Sequence, residues 1–180
     1  IYYARVKVTD QFILNKYLDN SSQVWSKTIN LKAEPSAGNY PPTGLRIQSM
    51  DTDSADNVYV VGSTWNLIKS LNQCASGNYY LLKFNSDGEL VWKSSNCTIG
   101  SASACKVMVD EGQHGGIYVT GRTSGSISNH SGESNKGEND AFLSRYNFDG
   151  SFKDRRQFGT SGADIPLEMT AGFSQITVVG

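Results

Sequence analysis

Short hydrophobic runs, enriched in β-branched and aromatic residues, alternate with polar turns along the whole chain. In the clearest copy, four such runs cover residues 45–51, 57–64, 78–85 and 89–95. Runs of this length and composition, bounded by Gly, Asp, Asn and Ser, are typical of strands rather than helices. The pattern therefore predicts four consecutive strands in this part of the chain.

The same pattern recurs at a nearly constant spacing. The segment DTDSADNVYVVGST at 51–64 returns as DEGQHGGIYVTGRT at 110–123, and Gly62, Gly121 and Gly180 are each 59 residues apart. Nine further strands are predicted before and after the first copy, at 1–5, 12–18, 23–29, 104–110, 116–122, 140–147, 151–158, 165–170 and 175–180.

Four strands in a unit of about 60 residues are typical of a β-propeller blade, and rings usually contain about four to eight blades. The predicted fold class is all-β, a β-propeller with four-stranded antiparallel blades, of which the chain covers about three. We expect further blades or another chain to complete the ring. The predicted divisions of the single domain 1–180 are a partial blade at 1–30, blades at 45–95 and 104–158, and the start of the next blade at 165–180.

Composition supports the strand prediction and narrows the range of partners. The 18 Gly, 9 Tyr, 7 Phe and 3 Trp favour strands and turns. A total of 16 Lys and Arg against 17 Asp and Glu gives a net charge of -1, so no electrostatic footprint for nucleic acid is present. The hydrophobic runs are far shorter than the 18 or so apolar residues of a membrane-spanning helix, and no transmembrane segment is predicted.

Four further segments show how the repeat continues along the chain: NYYLLKFNSDGELVW at 78–92, GGIYVTGRT at 115–123, NDAFLSRYNFDGSFKDRRQFGTSGAD at 139–164 and QITVVG at 175–180. These segments resemble the repeat of the SBBP β-propeller family of bacterial surface and secreted proteins. Asp154 departs from this pattern, because the other copies have Trp25 and Trp92 at that position. The resemblance implies a propeller in an extracellular, cell-surface or periplasmic setting, and it implies no common catalytic residues.

Antiparallel strand order sends successive connections to opposite ends of the strands. One end has only short turns, such as NSDG at 85–88 and NFDG at 147–150, and the other end has all the long connections. Scaffolds place binding residues on variable loops more often than on tight turns. We therefore predict that the long-loop end is the binding face, with the candidate binding residues Tyr40, Trp65, Arg122, His130, Glu133 and Asp140.

The three cysteines, Cys74, Cys97 and Cys105, fall in or beside long connections at this same end. In an oxidising compartment we expect a disulfide that joins Cys97 to Cys105, or Cys74 to one of these two. The alternative is that all three remain as reduced thiols.

Asp51, Asp53 and Asp56 raise a calcium hypothesis, because hard cations bind clustered carboxylate and carbonyl oxygens. Their spacing is not that of an EF-hand loop, and we prefer to interpret them as turn residues that bond their own backbone. No other cofactor is predicted. His114 and His130 are predicted at opposite ends of the strands, which does not favour a shared metal site or a catalytic pair.

Together these features favour a non-enzymatic extracytoplasmic propeller module for binding, adhesion or surface assembly. Its expected partners are other protein chains or surface glycans. One alternative is a carbohydrate-active hydrolase or lyase with its site in the central channel, since glycosidases use paired carboxylates. A second alternative is assembly with neighbouring chains through open strand edges. The carboxylates available to the hydrolase alternative at the long-loop end are Glu34, Glu133, Glu138 and Asp140.

Overall fold

The computed structural model describes residues 1–8, 11–31, 33–34, 45–64, 67–68, 78–96, 101–127, 129–172 and 175–180. In these residues the protein is all-β, with fifteen strands, no helix, and antiparallel pairing throughout the sheets. A helix long and apolar enough to cross a membrane is therefore not found in this part of the chain.

Three sheets follow one another along the chain, and each is built from consecutive antiparallel strands. The first sheet contains β1 (Tyr2–Val8), β2 (Gln11–Tyr17) and β3 (Gln23–Asn30). Two-residue strands β4 (Ala33–Glu34) and β7 (Leu67–Ile68) pair separately. The second sheet contains β5 (Arg46–Thr52), β6 (Val58–Thr64), β8 (Asn78–Phe84) and β9 (Leu90–Asn96). The third contains β10 (Ala102–Asp110), β11 (Gly116–Thr123), β12 (Asp140–Tyr146) and β13 (Phe152–Phe158), and it is followed by the pair β14 (Glu168–Ala171) and β15 (Ile176–Val179).

The all-β class and the predicted strands are confirmed, with bounds that shift by a few residues. The strand predicted at 104–110 begins earlier because Ala102 and Ser103 also pair with β11. The strand predicted at 165–170 begins only at Glu168. The pair of β4 and β7 was not predicted, because a two-residue strand leaves no periodic pattern to recognise.

The central strands β6 and β8 of the second sheet are buried on both faces, because the first and third sheets pack against them from opposite sides. All seven residues of β6 are buried. Val58 and Val60 belong to one core cluster with Phe12 of the first sheet, whereas Tyr59 and Val61 belong to another with the third sheet. Because successive side chains of a strand point to opposite faces, an uninterrupted hydrophobic run is what this position requires. The three sheets are thus stacked face to face.

A tryptophan at the edge of each of the first two sheets attaches to a turn of the following sheet. Trp25 Nε1 donates to a carbonyl in the turn after β8 at 3.0 Å, and Trp92 Nε1 donates to one in the turn after β12 at 3.1 Å. Each ring also covers that turn's glycine: a Cβ on Gly88 or Gly150 would lie 2.8 Å from the indole. Both glycines have a positive φ, of 76° and 85°. The repeated Asp-Gly turn therefore serves two purposes, closing a hairpin and accepting the neighbouring indole.

We predict that Trp92→Ala lowers the free energy of unfolding by about 3 kcal/mol, at the lower end of the range for truncating a large aromatic residue because the ring is partly exposed. Trp92→Phe keeps an aromatic ring beside Tyr59 and loses the indole hydrogen bond, so it should cost about 1 kcal/mol. Urea unfolding measures both values.

The matched control is Val91→Ala on the same strand, where the side chain is 54% exposed. This control should change the free energy of unfolding by less than about 0.5 kcal/mol. Equal losses in Trp92→Ala and Val91→Ala would show that the indole does not hold the second and third sheets together.

Candidate functional site

A cavity of about 650 Å³ lies between the second and third sheets, at the end of the strands that carries the long connections. Its walls come from the first residues of β5 and β10, the last residues of β6 and β11, and the segment that precedes β14. The volume is within the range of about 300 to 1,000 Å³ that is usual for ligand pockets. This cavity is our candidate functional site.

The second and third sheets place equivalent strand positions in the cavity wall. An arginine and a serine are paired at these positions in both sheets, but on opposite strands. Arg46 pairs with Ser63 in the second sheet, and Ser103 pairs with Arg122 in the third. The two serine hydroxyls are hydrogen-bonded to each other at 3.0 Å. Ser63 Oγ also accepts a hydrogen bond from Ala104 N at 3.1 Å. The hydroxyl pair therefore joins the two sheets at the wall of the cavity.

A β-bulge at the equivalent position of β5 and β10 supplies two more lining residues. The pairing register skips Gln48 in β5 and Cys105 in β10, and both residues line the cavity. Bulges re-aim a side chain relative to the regular alternation, and they are frequent beside binding sites. The strand ends are thus shaped in the same way in both sheets, with different side chains.

The cavity has a positive lining. Arg46 and Arg122 line it, and its described lining residues include no Asp or Glu. Within the described part of the chain, neither guanidinium forms a hydrogen bond or an ion pair. Gln48 Oε1 is buried and accepts no hydrogen bond from the described residues. Two permanent cations are therefore available to a ligand.

Cys105 forms no disulfide with the described residues, and its thiol is partly buried in the cavity wall. Burial raises the pKa of this thiol, and the nearby Arg122 guanidinium opposes the shift without cancelling it. A thiol with a raised pKa is mostly protonated at neutral pH and is a poor nucleophile. Cys74 and Cys97 lie outside the described residues, so the disulfide stays a prediction.

The long connection after β11 is hydrogen-bonded to the edge strand of its own sheet. Ile127 N donates to Gln157 Oε1 at 2.8 Å, and Arg155 N donates to Asn129 Oδ1 at 2.8 Å. Gln157 Nε2 also donates to Gly125 O at 3.1 Å. The connection therefore runs along β13 and not across the cavity.

Two predicted binding residues, His130 and Glu133, contact β13 in this connection. His130 Nε2 lies 2.5 Å from Asp154 Oδ1, and Glu133 forms an ion pair with Arg156 at 2.8 Å. Burial raises the pKa of the Asp154 carboxyl, but the hydrogen bond and charge of His130 outweigh it and leave the pKa below its ordinary value. In this structure both side chains hold the connection against the sheet, and a role in ligand binding stays a prediction.

The other predicted binding residues are spread over three environments. Arg122 lines the cavity. Asp140 is buried, and it accepts hydrogen bonds from Lys136 N at 3.1 Å and Gln157 Nε2 at 3.1 Å. Tyr40 and Trp65 lie outside the described residues. Of the four predicted binding residues that the structure describes, Arg122 is the one that lines the cavity.

Sequence reasoning missed Arg46, Ser63, Ser103 and Gln48. A signal for them was present in the repeat itself, because aligning the copies on Gly62 and Gly121 places Ser63 opposite Arg122. The signal can be interpreted only when the position of the bulge in the first strand of each copy is known, since the bulge shifts the strand pairing by one residue.

The carboxylates of the three calcium candidates, Asp51, Asp53 and Asp56, bind donor groups of the protein itself. Asp51 Oδ2 accepts from Val109 N at 2.7 Å, and Asp56 pairs with Lys16 at 2.7 Å. Asp53 is turned into its own loop. Among the described residues, no three His, Cys, Asp or Glu side chains are placed together to hold a metal ion. Asp53 bonds its own turn, as we interpreted it, whereas Asp51 and Asp56 contact neighbouring sheets. Calcium binding stays a prediction.

Asp53 has the most extensive bonding of the three. Its carboxylate accepts from Asn57 N at 2.9 Å, Asn57 Nδ2 at 2.8 Å and the Tyr59 hydroxyl at 3.0 Å. Burial raises the pKa of Asp53, but these hydrogen bonds and the Lys83 ammonium at 3.8 Å outweigh it, so the pKa is lower than usual. The charged carboxylate is therefore favoured by the folded state.

In comparisons with known proteins, no family model matches the chain and no curated protein is significantly similar to it. The resemblance to SBBP repeats stays a prediction from the quoted segments. The functional argument therefore depends on the sheet stacking and on the cavity.

We predict that acidification destabilises the wild-type protein more than it destabilises Asp53→Asn. Because the folded-state pKa is lowered, the stabilisation by Asp53 is fully present above its unfolded pKa of about 3.9 and is lost as the pH falls through the folded value. The difference in unfolding free energy between wild type and variant should therefore shrink from pH 6 to pH 2.5 in urea titrations.

A suitable control is Lys153→Gln, an exposed change that removes no carboxyl group. Its difference from wild type should stay constant over the same pH range. If the difference for Asp53→Asn also stays constant, the bonding of Asp53 does not stabilise the fold.

Proposed function

We propose that the chain is part of a β-propeller that acts outside the cytoplasm as a non-enzymatic binding module. Its ligand or partner engages the end of the sheets where the cavity between the second and third sheets opens. The observation that carries this proposal is the cavity itself. Two guanidinium groups line it, and neither forms an ion pair with the described residues. The resemblance to SBBP repeats supports the extracytoplasmic setting.

One face of the first sheet is turned away from the second sheet, and its residues support the proposal that the sheets continue into a ring. Tyr3 and Tyr17 occupy the register positions that Val60 and Phe84 occupy in the second sheet. Val60 and Phe84 are fully buried, whereas Tyr3 is 53% exposed. Large aromatic side chains at these positions are suited to contact with a further sheet, as blades of a propeller make with both neighbours. A complete ring would supply that sheet.

The acidic residues favour binding over glycoside hydrolysis. Hydrolysis usually needs two carboxylates on either side of the scissile bond. Glu133 forms an ion pair with Arg156, and Asp140 is buried and hydrogen-bonded to Gln157 Nε2. Glu138 is exposed, and the side chain of Glu34 lies outside the described part of the structure. No carboxylate is found among the described residues of the cavity wall. Guanidinium, hydroxyl and amide groups bind and orient a ligand, but they do not supply the acid and base pair of a glycosidase.

We predict that the purified chain binds at least one member of a panel of oligosaccharides and extracellular proteins, and that Leu167→Trp weakens this binding. Leu167 lines the cavity and is 67% exposed, so a larger ring should narrow the entrance without changing the charge. We expect a loss of about tenfold, equivalent to about 1.4 kcal/mol. Surface plasmon resonance with the immobilised chain measures it.

The matched control is Leu90→Trp, since Leu90 is 42% exposed beside the short turn after β8. It should alter affinity by less than twofold. The proposed function is wrong if no panel member binds, if Leu90→Trp and Leu167→Trp have equal effects, or if the chain releases products from the oligosaccharides.

A further inference from the structure

We propose that the cavity binds an acidic sugar, a uronic acid unit of a glycan, and that Arg46 and Arg122 hold its carboxylate. The inference rests on the proposed function and names the ligand class of the same site. Three properties of the cavity support it: the charge of its wall, the hydroxyl and amide groups beside that charge, and the apolar segment on the other side.

The charge of the wall favours a carboxylate. A guanidinium stays charged at all physiological pH values, and its planar fork matches the two oxygens of a carboxylate. The second sheet contributes Arg46 and the third contributes Arg122, and neither has a counter-charge in the described part of the chain. The whole protein has a net charge of -1, so this local excess of positive charge is a property of the site and not of the chain.

The polar groups beside the arginines favour a ligand with hydroxyls. Ser63 Oγ accepts a hydrogen bond from Ala104 N and is also hydrogen-bonded to Ser103 Oγ at 3.0 Å. Ser103 Oγ therefore keeps a lone pair for a ligand, whichever of the two hydroxyls donates. Asn139 adds a side-chain amide to the same wall. A sugar hydroxyl can bond to groups of both kinds, because a hydroxyl donates and accepts hydrogen bonds.

The segment before β14 gives the cavity an apolar side. Ile165, Pro166 and Leu167 line it there, and Pro166 is buried. A pyranose ring has hydroxyls around its edge and C–H groups on its faces, so it can contact polar and apolar walls at the same time. Ligand pockets combine apolar surface with a few placed polar groups in this way.

The test uses tri-galacturonate as the probe and its fully methyl-esterified form as the matched neutral sugar. Isothermal titration calorimetry should show binding of the acid that weakens with salt, and binding of the ester at least about tenfold weaker, because the ester cannot form the charge-assisted hydrogen bonds. Arg46→Gln and Arg122→Gln should each weaken binding of the acid about tenfold. Lys153→Gln, which removes an exposed positive charge near the short-turn end, should change it by less than twofold.

Cys105 provides a second readout within the cavity. Tri-galacturonate should slow the labelling of Cys105 by a maleimide reagent at pH 8, measured by peptide mass analysis, and the ester at the same concentration should not. Because the thiol lines the cavity, protection locates the ligand there. Circular dichroism and urea unfolding of each arginine variant separate a loss of binding from a loss of folding.

The acidic-sugar inference is wrong if the ester or inorganic phosphate binds as tightly as tri-galacturonate, or if the acid binds without protecting Cys105. If neutral sugars bind and Leu167→Trp weakens them, the proposed function stands and only the ligand class is wrong. If no panel member binds at the cavity end, both the ligand class and the proposed function fail.

Discussion

The structure depends on the burial of both faces of β6 and β8, the central strands of the second sheet. A strand in that position has no side that faces water, so polar side chains cannot alternate with apolar ones as they do in a sheet with one exposed face. β6 meets this requirement with seven buried residues. Polar and charged groups are thereby displaced to the ends of the strands, in the turns at one end and around the cavity at the other. The location of the candidate site follows from this packing constraint.

The exceptions to that rule are polar groups that satisfy one another. Arg155 is buried in the third sheet, and it donates to the Tyr79 hydroxyl at 2.8 Å and to Ser144 Oγ at 2.8 Å. The Tyr79 hydroxyl is in turn hydrogen-bonded to that of Tyr146 at 2.7 Å, and the guanidinium lies 5.1 Å from the Phe152 ring centroid. A buried cation is tolerated when its donors all find acceptors. The network also crosses from the second sheet to the third, so it adds specificity to the contact between them.

Much of the fold could be predicted from sequence because strand composition and repeat spacing are local properties. Gly62 and Gly121, the markers of the repeat, lie opposite Tyr80 and Phe142, where any Cβ would collide with the ring. The candidate site was harder to predict, since it depends on which residue a bulge leaves unpaired and on which strand ends meet in space. Asp154 illustrates the same limit. It takes the register position of Trp25 and Trp92, but its contact with His130 comes from a loop whose course the sequence does not indicate.

The repeat also explains how one frame can acquire a specific site. The second and third sheets share the bulge and the glycine, whereas the side chains at the bulge and at the strand end line the cavity and belong to neither core cluster. The third sheet has Arg122 at the position of Ser63 and Ser103 at the position of Arg46. This exchange changes the charge distribution of the cavity, and the two sheets still stack. Binding chemistry can therefore vary between neighbouring sheets at no cost to the shared core. A site placed between two such sheets combines residues that neither copy has alone, which is why it is found at their junction.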